Sequence, residues 1–113
     1  MMQLILVYIT VKDRTQAEQI GKKLVEEKLA GCVNIIDGMR SIYYWDNALQ
    51  EDCEAIIIAK TSQTLLSALT SRVKQLHTYS CPCVIALPII GGNPDYLQWL
   101  QQQIPPSETE TLS

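Results

Sequence analysis

Three runs of this chain are apolar at nearly every position: Ile5-Leu6-Val7-Tyr8-Ile9, Ala55-Ile56-Ile57-Ile58-Ala59 and Val84-Ile85-Ala86-Leu87-Pro88-Ile89-Ile90. A strand in a sheet with one wet face alternates apolar and polar residues, because successive side chains point to opposite faces. These runs do not alternate. A chain that carries them must cover both faces of its sheet.

The segments between them have a different period. Asp13 is placed to cap a helix from Arg14 to Lys28, with Ala17, Ile20, Leu24 and Val25 on one side and Gly21 where a sheet can approach closely. Leu65, Leu69, Val73 and Leu76 repeat at helical spacing and predict a second helix, with Thr61 or Ser62 as its cap. Asn93-Pro94 opens a short third helix that Pro105-Pro106 stops. Met2 to Val11 predicts a first strand. Cys32 to Trp45 predicts one long strand with a bulge at Gly38, and Ala48 to Lys60 returns after an Asp46-Asn47 turn tolerant of positive φ. Val84 to Ile90 predicts a fourth strand, at an edge because Pro88 lacks an N–H. The order β-α-β-β-α-β plus a C-terminal helix is the ferredoxin-like split βαβ pattern, an α+β antiparallel sheet with both long helices on one face.

Two consequences follow. The short third helix is too small to cover the second sheet face. Strands of about 13 residues span roughly 43 Å, whereas the first helix spans roughly 22 Å. The far end of the hairpin, Ile42 to Leu49, therefore overhangs the domain with Ile42, Tyr43, Tyr44, Trp45 and Leu49 on it. Left bare, that end would aggregate. A closed homo-oligomer is expected, with sheet packed on sheet and these five residues at the interface.

At 113 residues, 47% hydrophobic and 19% charged, the chain has room for one globular domain. It is expected over residues 1–104, with 105–113 a flexible tail. The net charge is -3 and the nine Lys and Arg form no run, which argues against nucleic-acid partners. No apolar run is long enough to span a bilayer, and Met2 to Val11 lacks a basic flank and a cleavage site, so a cytoplasmic protein with no membrane partner is expected. The four cysteines are then expected as thiols.

A set of separated motifs resembles one family. Ala30-Gly31-Cys32-Val33-Asn34-Ile35, Ser41-Ile42-Tyr43-Tyr44-Trp45, Lys60-Thr61, His77-x-Tyr79, Ile85-Ala86-Leu87-Pro88-Ile89 and Gly92-Asn93-Pro94-x-Tyr96-Leu97-x-Trp99-Leu100 occur in that order. The chain is similar to the CutA family of divalent-cation tolerance proteins over about residues 3 to 102. The resemblance implies a ferredoxin-like fold, a tight trimer with extended hairpins, a likeness to PII signalling proteins, and a role in tolerance of copper and other divalent ions. It implies no enzyme. The family commonly reads H-P-Y-x-x-P-E where this chain has Thr78 for the first proline and Cys83 for the glutamate. Ile9 and Leu76 stand where some relatives offer a cysteine and a second histidine.

His77, Cys81 and Cys83 form the candidate metal set. Two thiolates with a nearby imidazole suit a soft ion such as Cu(I), while a plain helix cap for His77 and simple packing for the cysteines stay open. Lys60, Tyr79 and Trp45 form a candidate ligand cleft between subunits, near His77, for a small anion in the manner of a PII-like module. Trp45, Tyr43 and Tyr44 read either as interface or as a stacking surface. Cys32 reads as core and Cys53 as exposed. Asp52 and Glu54 share a face as a solvated or inter-subunit pair. No Ser-His-Asp set and no phosphate loop is present, so no catalytic residues are assigned.

Overall fold

The computed structural model describes residues 2–79 and 81–106. Its elements run β1 (Leu4–Val11), α1 (Arg14–Glu26), β2 (Cys32–Trp45), β3 (Ala48–Ser62), a single 3-10 turn (Gln63–Leu65), α2 (Leu66–Leu76), β4 (Val84–Pro88) and α3 (Pro94–Gln103). The four strands form one antiparallel sheet in the order β2-β3-β1-β4, so β4 is an edge as Pro88 requires. This is the ferredoxin-like α+β arrangement. The expected flexible tail lies mostly outside the described residues.

Alternation sorts the sheet into two faces. Ile5, Val7, Ile9 and Val11 of β1 join Ala55, Ile57 and Ala59 of β3 beneath Ala17, Ile20 and Leu24 of α1 and Leu69 and Val73 of α2. Gly21 lets α1 sit close, since a Cβ there would lie 3.2 Å from Val33 Cγ2. A smaller cluster of Leu4, Leu100 and Ile104 docks α3 on the other face, at one end only. Along the rest of that face Leu6, Tyr8, Ile56 and Ile58 are half-buried, and Ile36, Ile85 and Leu87 are exposed. Away from α3, the second face is only partly covered in the isolated chain.

Local chemistry explains the boundaries. Asp13 Oδ1 accepts the amide of Gln16 at 2.8 Å and caps α1. That helix stops at Glu26 rather than Lys28, because Lys28 takes a left-handed φ of 61°. Neither Thr61 nor Ser62 caps α2. Strand β3 runs on to Ser62, and the Thr61 hydroxyl donates to the carbonyl of Leu29 at 2.8 Å instead. Asp46 and Asn47, at φ 52° and 61°, make the turn. Gly38, at φ 73°, sits where the β2–β3 register shifts between Ile36 and Met39. Beyond that bulge the two strands continue alone, which stretches the molecule to 52 × 28 × 24 Å.

Candidate functional site

The segment after α2 is held by side chains rather than by sheet pairing. The amide of His77 closes α2 by donating to the carbonyl of Val73 at 2.8 Å. Its ring turns inward and is almost buried. Nδ1 accepts the amide of Tyr79 at 3.0 Å, and Nε2 lies 2.9 Å from the carbonyl of Thr10. An amide can only donate and a carbonyl can only accept, so these two contacts match the tautomer that carries its proton on Nε2. Both nitrogens are engaged. Tyr79 tilts over the imidazole with centroids 4.6 Å apart. Gln16 completes the clamp: its Oε1 accepts the amide of Lys12 at 2.8 Å, and its Nε2 donates to Thr78 Oγ1 at 3.3 Å.

Cys81 and Cys83 follow this clamp, with Cys81 exposed and Cys83 half-buried, both as thiols. The carbonyl of Cys83 accepts the amide of Thr10 at 3.3 Å and starts β4 along β1. Among the described residues, no three His, Cys, Asp or Glu side chains converge on a point that could hold a metal ion. Both ring nitrogens of His77 are thus engaged by the backbone of Thr10 and Tyr79, and the structure gives the ring no cysteine contact among the described residues.

The electrostatics around Tyr79 are negative. Burial pushes its phenol up, and the carboxylates of Glu54, Asp52 and Asp13 add to the rise. Asp52 also takes the hydroxyl of Tyr43, whose pKa is pushed up to about 12, chiefly by that bond and secondarily by burial.

Lys60 lies elsewhere. It pairs with Leu6, whereas Thr10, under His77, pairs with Ile56, so about 13 Å of strand separates Lys60 from the Tyr79 region. In the β2–β3 ladder Lys60 faces Cys32 and Trp45 faces Ala48, about 40 Å apart along the strands. One chain therefore does not bring Lys60, Tyr79 and Trp45 together. Lys60 instead donates to the Tyr96 hydroxyl at 3.0 Å, with its ammonium 5.2 Å from the Tyr96 ring centroid. Tyr96 tilts against Trp99 with centroids 5.6 Å apart. Sequence reasoning missed Tyr96 here, and missed Thr10 and Gln16 as clamps. No local pattern marks partners that lie 36, 67 and 62 positions away.

The five hairpin residues are exposed, Tyr44 at 74%, Trp45 at 66% and Ile42 at 63%, with Leu49 and Tyr43 also open. Cys53 is exposed beside them, and Cys32 is half-buried against the α3 cluster. No described helix is long and apolar enough to cross a membrane.

A four-stranded antiparallel sheet with two crossover helices on one face and an overlong β2–β3 hairpin defines a ferredoxin-like α+β protein. Within that class, the chain belongs to the CutA1 divalent ion tolerance protein family, whose model matches residues 5–103. It is 47% identical over 97 residues to the chloroplastic Protein CutA 1 of Oryza sativa, a match covering 86% of this chain and 55% of that one. The chain thus spans about half the length of that plant relative. The divalent-cation tolerance protein CutA of Thermus thermophilus is 47% identical over 96 residues, covering 85% of this chain and 93% of its own. The crystal structure of CutA1 from Oryza sativa superposes with a TM-score of 0.91 at 44% identity, covering 94% of this chain and 97% of that chain. The divalent cation tolerance protein from Thermus thermophilus superposes with a TM-score of 0.87 at 44% identity, over 90% and 99%.

Proposed function

We propose that this protein works as a cytoplasmic homotrimer that binds copper or a similar divalent or soft ion, with Cys81 and Cys83 as its ligands. The single observation that carries this reading is the pair of free cysteines just before β4, Cys81 exposed and Cys83 half-buried. Thiolates select soft ions, and two of them from one loop suit Cu(I) without a third ligand from the same chain. His77 enters as a third ligand only by exchanging the Tyr79 amide on Nδ1 for the ion; otherwise it positions the loop. The trimer is supported by the partly covered face of Leu6, Tyr8, Ile56 and Ile58, by exposed Ile36, Ile85 and Leu87 on the same face, and by the exposed hairpin, which association would cover.

The test is an anaerobic titration of the reduced, metal-free protein with Cu(I), Cu(II) and Zn(II), beside a Cys81→Ser/Cys83→Ser double variant. About one ion per chain, lost in the variant, supports the thiol site. Equal binding by both proteins, or by neither, reduces the cysteines to packing.

A second reading has its own observation. Lys60, held against Tyr96, is a cation beside an aromatic pair at the partly covered face. A neighbouring copy that brought its hairpin there would close a cleft for a small anion, with Trp45 from one subunit and Lys60 from another. Thermal stabilisation by an anionic metabolite without metal, abolished in Lys60→Met, would favour this reading.

A further inference from the structure

We propose that the Asp37–Gly38 peptide is a site of spontaneous isoaspartate formation, a covalent modification at the β2 bulge. The Gly38 amide nitrogen lies 2.8 Å from Asp37 Oδ1, so the nucleophilic atom already rests against the carboxyl it would attack. Both residues are exposed. Nothing lies within 4 Å of where a Gly38 Cβ would be, so nothing packs over the bond. Pairing with β3 is interrupted between Ile36 and Met39, so cyclisation there disturbs a ladder that is already broken.

The chemistry balances with water alone. The Gly38 nitrogen gives its proton to solvent and bonds to Cγ of Asp37. The hydroxyl of the protonated carboxyl leaves as water, and a five-membered succinimide closes. Water then adds to one of the two ring carbonyls. Opening on one side restores Asp37. Opening on the other leaves the main chain running through Cγ, with one extra backbone atom at the root of the hairpin.

Other aspartates are held differently. Asp13 takes the amide of Gln16, Asp52 takes the Tyr43 hydroxyl, and Asp46 sits in the turn that joins the paired Trp45 and Ala48. Among the described residues, only Asp37 holds the amide of the residue that follows it. Glycine at that next position removes the side chain that would crowd the closing ring.

The full-length folded protein is aged at physiological temperature and neutral pH, then digested with trypsin. Isoaspartate is measured by electron-transfer fragmentation and by labelling with an isoaspartyl methyltransferase. The expected result is a several-fold excess of isoaspartate in the peptide Leu29 to Arg40 over Ser41 to Lys60, which holds Asp46 and Asp52. Asp37→Glu, whose longer side chain closes this ring poorly, abolishes the excess. Equal levels in the two wild-type peptides would overturn the proposal. So would faster conversion in a synthetic 29–40 peptide than in the folded chain. The wild-type comparison stands even if the variant fails to fold.

Discussion

The two halves of β3 share one ladder with β2 and live in different surroundings. From Ala55 to Ser62 the strand lies between β1 and β2, with Ala55, Ile57 and Ala59 sealed beneath the helices. From Ala48 to Cys53 it pairs with β2 alone, and every residue but half-buried Gln50 is exposed. Backbone pairing is continuous along both halves beyond the bulge. What differs is buried apolar area, the main source of stability. The inner half is stabilised within the chain. An isolated two-stranded ribbon is marginal in water, so the outer half lacks within this chain the burial that stabilises the inner half.

Substitutions sharpen that contrast, the largest effect falling on the inner half. Leu24→Ala removes a fully buried side chain of α1 and should destabilise the fold by about 2–5 kcal/mol. Chemical denaturation checks this, and a loss below that range would mean the helices are not what holds the inner half. Gly31→Ala comes next. Its Cβ would meet Leu100 Cδ1 at 2.9 Å and Ile104 Cγ1 at 3.1 Å, so α3 must shift, at about 1–3 kcal/mol. Hydrogen exchange should speed up in α3 while α1 and α2 stay protected.

The smallest effect lies in the outer half. Tyr43 donates to Asp52 across the ribbon, and its phenol is raised from 10.0 to about 12. A raised value stabilises the folded form below the unfolded pKa, and that stability is lost as pH climbs through the folded one. Hairpin stability should fall between pH 10 and 12 in the wild type, and that part of the fall should vanish in Tyr43→Phe. Exchange rates of the outer amides across that range read it directly. An unchanged pH profile in the variant would contradict the bond.

Most of the fold was legible because periodicity and capping are local. Asp13, Gly38, Asp46-Asn47 and Asn93 each act where the residue pattern puts them. The start of α2 was not legible, because the Thr61 hydroxyl answers to a carbonyl 32 positions away rather than to its own helix. The candidate site was less readable for the same reason. The pattern placed His77 at a helix end, but its ring is claimed by Thr10 from another strand. Lys60, Tyr79 and Trp45 are expected in a cleft between subunits, and within one chain the strand rise keeps them apart.

The central claim is that the partly covered sheet face and the outer hairpin are surfaces for further copies of this chain. Sedimentation equilibrium at micromolar concentration, on the wild type and on Tyr44→Ser/Trp45→Ser, tests it most directly. The account predicts a single species of three chains for the wild type, and weakened assembly for the variant with its helical core still protected. A soluble wild-type monomer, with outer hairpin amides as protected as those of Ala55 to Ala59, would contradict it.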